Sequence, residues 1–214
     1  SLSRKKPRKI RKLQKIRYVF ADITKRKQLY LKLEKLKKID YVINFGGEVN
    51  HKKINETFSS HYRGVINLCN FFIKKDIKNF IQIGSSLEYG AKVSPHKETD
   101  ALQPRSNYSK AKSLSSRYLI NLFRKKNFPI SIIRPYQIYG PYQDQNRFLP
   151  IIINSCLKNK NFDCSDGKQY RDFLYVEDFV KLVFKIMKSK NCKGEIFNAG
   201  FGKPMKIRNI IKKI

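Results

Sequence analysis

One pattern constrains the fold of this sequence most. A short strand-like segment ends in a Gly-Ser-Ser turn, and a helix with a tyrosine and a lysine follows it. The segment 79–83 is short and largely apolar, as expected of a buried strand, and the turn at 84–86 follows directly. After a loop, Tyr108 and Lys112 occur four positions apart, a spacing that puts both side chains on one face of a helix. The next apolar segment, 130–134, is a second strand. This order predicts an open α/β sheet, in which reacting groups gather at the carboxyl ends of strands.

The chemistry of the tyrosine follows from the ordinary acidity of a phenol. A tyrosine has a pKa of about 10, too high for proton transfer at neutral pH, and a neighbouring positive charge lowers it. We therefore predict that Lys112 lowers the pKa of Tyr108, that Tyr108 exchanges a proton with substrate, and that Ser85 hydrogen-bonds the same substrate oxygen. A Tyr-x-x-x-Lys spacing alone also fits an exposed helix pair in a lysine-rich chain, so the order of the neighbouring elements carries the prediction.

Four stretches in the same order resemble the extended short-chain dehydrogenase/reductase family, which comprises NAD-dependent nucleotide-sugar epimerases, dehydratases and ketoreductases. They are Gly84–Gly90, Tyr108–Lys112, Arg134–Pro141 and Gly167–Asp178, and the resemblance spans nearly the whole chain. It implies an α/β fold: a Rossmann-type doubly wound parallel sheet that lacks its first strand or strands, with a small C-terminal substrate lobe. Residues 1–140 would form a truncated NAD(P)-binding core with the catalytic Ser85, Tyr108 and Lys112. Residues 141–214 would hold part of the substrate lobe and a strand that returns to the sheet.

The largest departure from the family concerns the phosphate loop. No Gly-x-Gly-x-x-Gly occurs near the start, and the first glycine of the chain is Gly46. Residues 1–3 match the end of the family's second strand, so the first strand and its glycine-rich loop would be missing. The sequence then predicts either a fragment or a protein without the loop that cradles the pyrophosphate.

The resemblance also assigns cofactor contacts. They are Arg4, Asp22, Ile23, Phe45, Gly46, Gly47, Tyr108, Lys112 and Pro135. The basic Arg4 at the end of the second strand favours NADP over NAD, because a cation accommodates the 2′-phosphate. Asp22 and Ile23 resemble a pair that contacts adenine, although Asp22 also fits a helix cap. Gly46 and Gly47 form a turn whose small residues let the backbone approach a ligand closely.

Substrate contacts implied by the resemblance are Ser86, Gln137 and Arg171. Arg171 would pair with the substrate diphosphate, since a guanidinium binds two oxygens at once. Dehydratases of the family place an acidic pair directly after the catalytic serine or threonine, but this chain has Ser86 and Leu87, with Glu88 one position late. The sequence therefore favours an epimerase or a 4-ketoreductase of a nucleotide sugar, a class that serves polysaccharide biosynthesis. At His61 the family commonly has an asparagine, and we expect this histidine to be structural.

Charge and cysteine content restrict the remaining function classes. The formal net charge is +31, from 47 basic and 16 acidic residues. Such an excess of positive charge is typical of proteins that bind nucleic acid or an anionic membrane. Because the excess runs through every segment, including the basic residues 1–17, we favour a general lysine bias. A basic nucleic-acid-binding domain and an inactive fragment stay as alternatives. The four separated cysteines show neither metal-ligand spacing nor a disulfide framework, so no metal and a cytoplasmic location are expected.

Apolar patterning supplies the other expectations. No apolar run is long enough to cross a bilayer, and no secretory signal occurs. Strands are predicted over 16–21, 41–45, 79–83, 130–134 and 196–198, with an edge strand over 162–165. Helices are predicted over 25–38, 56–75, 106–126, 148–157, 177–190 and 206–214. The resemblance further implies a homodimer through a helix pair and a nucleotide-diphosphate sugar as substrate.

Overall fold

The computed structural model describes residues 1–6, 9, 12–48, 50 and 52–214. Arg8 and Arg11 of the basic N-terminal segment lie outside the described residues. The strands are β1 (Leu2–Ser3), β2 (Val19–Phe20), β3 (Tyr41–Asn44), β4 (Asn79–Ile83), β5 (Ile130–Pro135), β6 (Gln137–Tyr139), β7 (Tyr170–Arg171), β8 (Phe173–Tyr175), β9 (Ile196–Ala199) and β10 (Met205–Lys206). The helices are α1 (Arg26–Leu33), α2 (Ile54–Phe58), α3 (Gly64–Phe72), α4 (Asn107–Lys126), α5 (Phe148–Leu157), α6 (Val176–Lys188) and α7 (Ile207–Ile211).

The main sheet is parallel and has the order β3-β4-β5-β9. All five residues of β4 and the first five of β5 are buried, because helices cover the sheet on both faces. One face packs against α1, α3 and α4 in a core that includes Leu29, Leu68 and Leu119. The other face packs against α6 in a second core that includes Phe179 and Val183. The strand β9 thus returns from the C-terminal segment to the main sheet, as predicted.

Among the described residues, three pairs of strands lie outside this sheet, and one of them, β1–β2, lies next to it. The parallel pair β1–β2 is not hydrogen-bonded to β3, the edge strand of the main sheet, in the described part of the chain. Leu2 of this pair nevertheless packs against the same core as Val42 of β3. The pair and the main sheet therefore lie side by side over one layer of helices, with a cavity of about 670 Å³ between them.

The helix α4 begins and ends through local signals that fix its register. At its start, the Ser106 hydroxyl accepts from the Ser109 amide at 3.1 Å, and the Ser109 hydroxyl accepts from the Ser106 amide at 2.9 Å. At its end, Asn127 adopts the left-handed conformation, with φ of 51°. Tyr108 consequently lies in the first turn of the helix, beside the carboxyl end of β4.

The predicted fold class is confirmed, with differences in single elements. Residues 162–165 form no strand, because this largely exposed segment has no strand beside it; the small antiparallel pair is β7 with β10 instead. The helix predicted over 56–75 contains a π-helical segment, Ser59–Arg63, between α2 and α3. The helix predicted over 25–38 ends at Leu33, and the strand predicted over 16–21 is limited to Val19–Phe20. Among the helices of the described residues, none combines the length and the apolar character that a membrane crossing requires.

Candidate active site

Ser85 lies at the carboxyl end of β4 and caps the short 3₁₀ helix Ser86–Glu88. Its hydroxyl accepts from the Leu87 amide at 3.2 Å, while its own amide donates to Glu88 Oε1 at 2.9 Å. This reciprocal capping fixes the Ser85 side chain at the tip of the strand. At Gly84 a β-carbon would come within 2.4 Å of Glu88 Oε1, so the glycine leaves room for that carboxylate.

Tyr108 meets Ser85 at this point. A hydrogen bond joins the two side chains. Burial raises the pKa of Tyr108 above its ordinary value; the bond to Ser85 acts in the opposite direction, the Glu88 charge raises the pKa further, and the Arg147 charge lowers it. The structure thus places the predicted residues Ser85 and Tyr108 in contact, while Arg147 was not among the predicted residues.

Lys112 lies one helical turn after Tyr108 and is buried. Its Nζ donates to the Ile83 carbonyl at 2.6 Å and lies 5.8 Å from the centroid of the Tyr108 ring. Burial lowers the pKa of Lys112 to about 8, because a low-dielectric environment disfavours the ammonium, while Glu88 acts against this shift.

The predicted effect of Lys112 on the tyrosine is therefore corrected. We expected the ammonium to lower the pKa of Tyr108, but that pKa is raised, and burial of the phenol is the largest cause. The lysine ammonium contacts the strand carbonyl of Ile83 instead of the phenol oxygen. The four-residue spacing places Tyr108 and Lys112 on one face of the helix. It cannot show whether desolvation or a neighbouring charge has the larger effect on the pKa of Tyr108.

Glu88 organises the floor of the site, a role that the sequence prediction missed. It is fully buried and forms an ion pair with Arg134, Nε to Oε2, at 3.1 Å. Ser116 Oγ donates to the same oxygen at 2.7 Å. The spacing Ser85-x-x-Glu88 is that of a capping box and was the signal that could have revealed this inward orientation.

A second cluster holds the loop after Gly90 against the sheet. The His96 ring stacks on Tyr89, with 4.4 Å between ring centroids, and its Nδ1 lies 3.0 Å from the Tyr136 hydroxyl. Tyr89 donates to Asn198 Oδ1 at 2.7 Å, and the backbone amide of Asn198 donates to Glu98 at 2.8 Å. The loop is thereby tied to the carboxyl ends of β5 and β9.

His61 packs directly beside Tyr108. The two rings meet edge to face, with centroids 4.9 Å apart, and His61 Nε2 lies 3.1 Å from the Glu48 carbonyl. A β-carbon on Gly47 would lie 1.8 Å from the His61 ring, so the turn at Gly47 approaches this protein side chain closely. We predicted the small residue for contact with a ligand; in the structure the close neighbour is the His61 ring.

Five of the predicted cofactor residues line two separate cavities. Arg4 and Asp22 line a cavity of about 720 Å³ that Lys25 and Arg63 also border. Arg4 Nη2 donates to Glu48 Oε2 at 2.7 Å. The pKa of Glu48 falls to about 2, first through a hydrogen bond from the Asn50 amide and then through Arg4. The other three, Ile23, Phe45 and Gly46, line the cavity beside β3.

Asp22 is not the helix cap that we considered as its alternative role. The N-cap position of α1 is Lys25, whose side chain makes no capping bond, and the Asp22 carboxylate accepts from the amide and the hydroxyl of Thr24, at 2.8 and 2.7 Å. Asp22 therefore stabilises the turn that precedes the helix.

The predicted substrate residues lie beyond the carboxyl ends of β4 and β5. Ser86 begins the 3₁₀ helix, and Pro135, which was predicted to contact the cofactor, ends β5. Gln137 and Arg171 are exposed. The backbone amide of Gln137 donates to the Asp172 carbonyl at 3.0 Å, and Arg171 Nη1 donates to the Tyr170 carbonyl at 2.8 Å. Ser85, Tyr108 and Lys112 are thus joined by direct contacts, whereas Gln137 lies on β6 and Arg171 on β7.

Comparison with known proteins gives this arrangement a family. Residues 2–200 match the NAD dependent epimerase/dehydratase family. The chain belongs to this family. It is 26% identical over 190 residues to the dTDP-D-glucose 4,6-dehydratase of Mus musculus, which covers 85% of this chain and 53% of the relative. It is 28% identical over 206 residues to a putative UDP-glucose 4-epimerase of Methanocaldococcus jannaschii, covering 92% of this chain and 66% of the relative.

A solved member of the family shares the fold. The dTDP-glucose 4,6-dehydratase of Bacillus anthracis, determined in complex with NAD, superposes with a TM-score of 0.85 at 21% identity, covering 95% of this chain and 64% of that chain. The present chain spans 53% of the length of the mouse relative and 40% of the length of the human dTDP-D-glucose 4,6-dehydratase. Family membership and the Rossmann-type fold are therefore established, while the reaction of the whole protein is a matter for proposal.

Proposed function

We propose that the protein containing this chain is an NAD(P)-dependent nucleotide-sugar epimerase or 4-ketoreductase in which Tyr108 is the acid/base. The observation that carries the proposal is the hydrogen bond between Tyr108 and Ser85 at the carboxyl end of β4. In open α/β sheets this edge is where ligands bind. Family membership supports the substrate class, since the relatives compared above are named for nucleotide sugars.

The electrostatics of the pair suit proton donation. Because burial raises its pKa, Tyr108 is a neutral phenol at neutral pH and can give its proton to the oxygen of a sugar ketone as that oxygen gains charge. Ser85 Oγ, held at the same point, donates a hydrogen bond to that oxygen. Lys112 is buried one turn away and donates to the Ile83 carbonyl, so it fixes the position of the helix that carries Tyr108.

The nicotinamide cofactor supplies the hydride that is exchanged with the sugar carbon. The described residues fit its two ends: Tyr108, Lys112 and Pro135 would hold the nicotinamide side, and Arg4 and Asp22, which line one cavity, would hold the adenosine side. The cations Arg4, Lys25 and Arg63 around that cavity support our preference for NADP, because they can accommodate a 2′-phosphate. Replacing Arg4 by Ala is then expected to weaken NADP binding more than NAD binding.

The engagement of Glu88 supports this reaction class over dehydration. Dehydration needs an acid and a base beside the serine, and Glu88 already accepts from Arg134, Ser116 and the Ser85 amide. Ser86 and Leu87, which follow Ser85, carry no acid. We infer a reaction in which proton exchange occurs at one oxygen.

The expected homodimer through a helix pair stays a prediction. Light scattering of the purified protein would measure the number of copies in the assembly.

The test is a matched pair of variants in the longest reading frame that encodes these residues. Tyr108→Phe is expected to lower kcat for the nucleotide sugar by about 10²–10⁴-fold, the usual contribution of a general acid. Tyr118→Phe, on the same helix and hydrogen-bonded to Asn70 at 3.4 Å, is the control and should retain activity. Equal activity of the two variants, with unchanged thermal stability, would remove Tyr108 from the mechanism.

A further inference from the structure

The turn that follows β3 holds the imidazole ring of His61 in place. His61 is buried, with 5% of its surface exposed, and its Nε2 lies 3.1 Å from the Glu48 carbonyl oxygen. Because a backbone carbonyl can only accept a hydrogen bond, Nε2 carries a proton and donates it. The same ring fills the space that a β-carbon on Gly47 would occupy, with Cε1 1.8 Å from that point. The turn therefore defines the plane of the ring.

Glu48, the acceptor of the His61 bond, is itself fixed by its neighbours. Its backbone amide donates to Ser60 Oγ at 2.9 Å. Its carboxylate accepts from the Asn50 amide at 3.0 Å and from Arg4 Nη2 at 2.7 Å. A ring that is hydrogen-bonded to so well-anchored a carbonyl has little freedom to turn.

The segment that carries His61 is also attached to the helix that carries Tyr108. Residues Ser59–Arg63 form a π-helical turn, and within it the His61 carbonyl accepts from Ser115 Oγ of α4. Turns of this kind are rare and frequently lie at functional sites. The bond fixes the backbone of His61 relative to α4.

The His61 ring meets the phenol of Tyr108 edge to face. The ring centroids are 4.9 Å apart, and the planes lie at 88° to one another. Tyr108 is partly exposed, so packing does not enclose its ring completely. The hydrogen bond to Ser85 holds the hydroxyl end of the phenol, and the contact with His61 holds the plane of its ring. Such control matters for a proton donor, because a misplacement of about 1 Å can lower a rate about 10²-fold.

We propose that His61 is a positioning residue whose ring holds the Tyr108 phenol in the plane from which its hydroxyl reaches the substrate oxygen beside Ser85. This role rests on the proposed function, since the orientation of the phenol affects the reaction only if Tyr108 transfers the proton. His61 exchanges no proton with substrate in this role and acts through Tyr108.

The experiment compares two variants at position 61 in the longest reading frame that encodes these residues. His61→Gln keeps a side-chain N–H for the Glu48 carbonyl but removes the ring. It is expected to lower kcat for the nucleotide sugar by about 10- to 10²-fold and to leave KM within about twofold, because only proton delivery is affected. His61→Phe keeps the ring but removes the N–H, so it should lose thermal stability while kcat stays close to that of the unaltered protein.

A second measurement needs neither substrate nor cofactor. Nuclear magnetic resonance of tyrosine that is isotopically labelled at Cζ follows ionisation of the phenol, and the Tyr108 signal is the one that Tyr108→Phe lacks. Burial raises the pKa of Tyr108, so loss of the ring in His61→Gln should admit water and lower that pKa. In His61→Phe the pKa of Tyr108 should stay raised.

The outcomes separate this role from the proposed reaction. Unaltered kcat in His61→Gln, together with loss of activity in Tyr108→Phe, would overturn the role of His61 and leave the proposed reaction intact. Equal losses of kcat and of thermal stability in both variants at position 61 would show a purely structural histidine and would overturn the role as well. Full activity of Tyr108→Phe would overturn the proposed reaction, and the positioning role with it.

Discussion

Arg134 Nε lies 3.1 Å from Glu88 Oε2, and both side chains are buried at the carboxyl ends of the neighbouring strands β4 and β5. Arg134 also donates to the Tyr89 hydroxyl at 3.0 Å, and its guanidinium lies 4.9 Å from the centroid of that ring. This pair therefore connects the Ser85 cap to the loop that follows it.

Removing one partner of this pair should strongly destabilise the fold. Glu88→Gln leaves the Arg134 charge buried without its counter-ion, which costs about 3–5 kcal/mol of unfolding free energy. Urea denaturation measures the loss. Arg134→Met and the double variant complete a thermodynamic cycle, and the double variant should lose less than the sum of the single losses because no unpaired charge is left. Strict additivity would contradict the coupling.

Lys112 should make stability depend on pH in the alkaline range. Its pKa is about 8 in the folded protein against 10.5 ordinarily, so between pH 8 and 10.5 the unfolded chain binds more protons. The unfolding free energy therefore rises with pH across this window, by about 3 kcal/mol, and the full cost of burying the ammonium is present below pH 8. Lys112→Met should lack this rise, which urea titrations at pH 7.5 and pH 10.5 would detect; the same slope in both proteins would exclude the effect.

Position 47 should not accept a side chain. Gly47→Ala is expected to destabilise the protein because the new β-carbon lies 1.8 Å from the His61 ring, and because φ is +153° at this residue. Gly202 also has a positive φ, +83°, but no heavy atom lies within 4 Å of the point that a β-carbon would occupy there, so Gly202→Ala isolates the backbone contribution. Thermal unfolding should show the larger loss at position 47, and equal losses would contradict the contact.

Thiol labelling should separate the cysteines by position. Cys156 and Cys164 are exposed, whereas Cys69 is fully buried, and burial raises the pKa of its thiol. An alkylating reagent at neutral pH is expected to modify Cys156 and Cys164 rapidly and Cys69 only after unfolding. Mass spectrometry of timed samples measures this order, and rapid native labelling of Cys69 would contradict the packing around α3.

The sequence predicted the main sheet and the helix α4 well because their signals are local. Strong apolar runs define β4 and β5, and the Ser106 and Asn127 caps bound the helix that carries Tyr108 and Lys112. What it could not predict depends on distant contacts. The short segment 162–165 has strand-like residues but no neighbour to pair with, and tertiary context decides such segments.

The site shows the same division between local spacing and long-range environment. Spacing alone put Tyr108 and Lys112 on one face, yet the sign of the Tyr108 pKa shift depends on how much protein surrounds the phenol. Similarly, the Glu48 carboxylate that accepts from Arg4 is 44 positions away in sequence, and no pattern linked the two. Residues that act through burial and distant pairing are visible only once the chain is folded.

The bond from Lys112 to the Ile83 carbonyl has a mechanical consequence for α4. Together with the bond between Tyr108 and Ser85, it gives the helix two attachment points on the end of β4, one turn apart along its axis. Two such anchors prevent the helix from rolling about its own axis or sliding along the strand. The Tyr108 phenol therefore keeps a fixed position relative to the Ser85 hydroxyl.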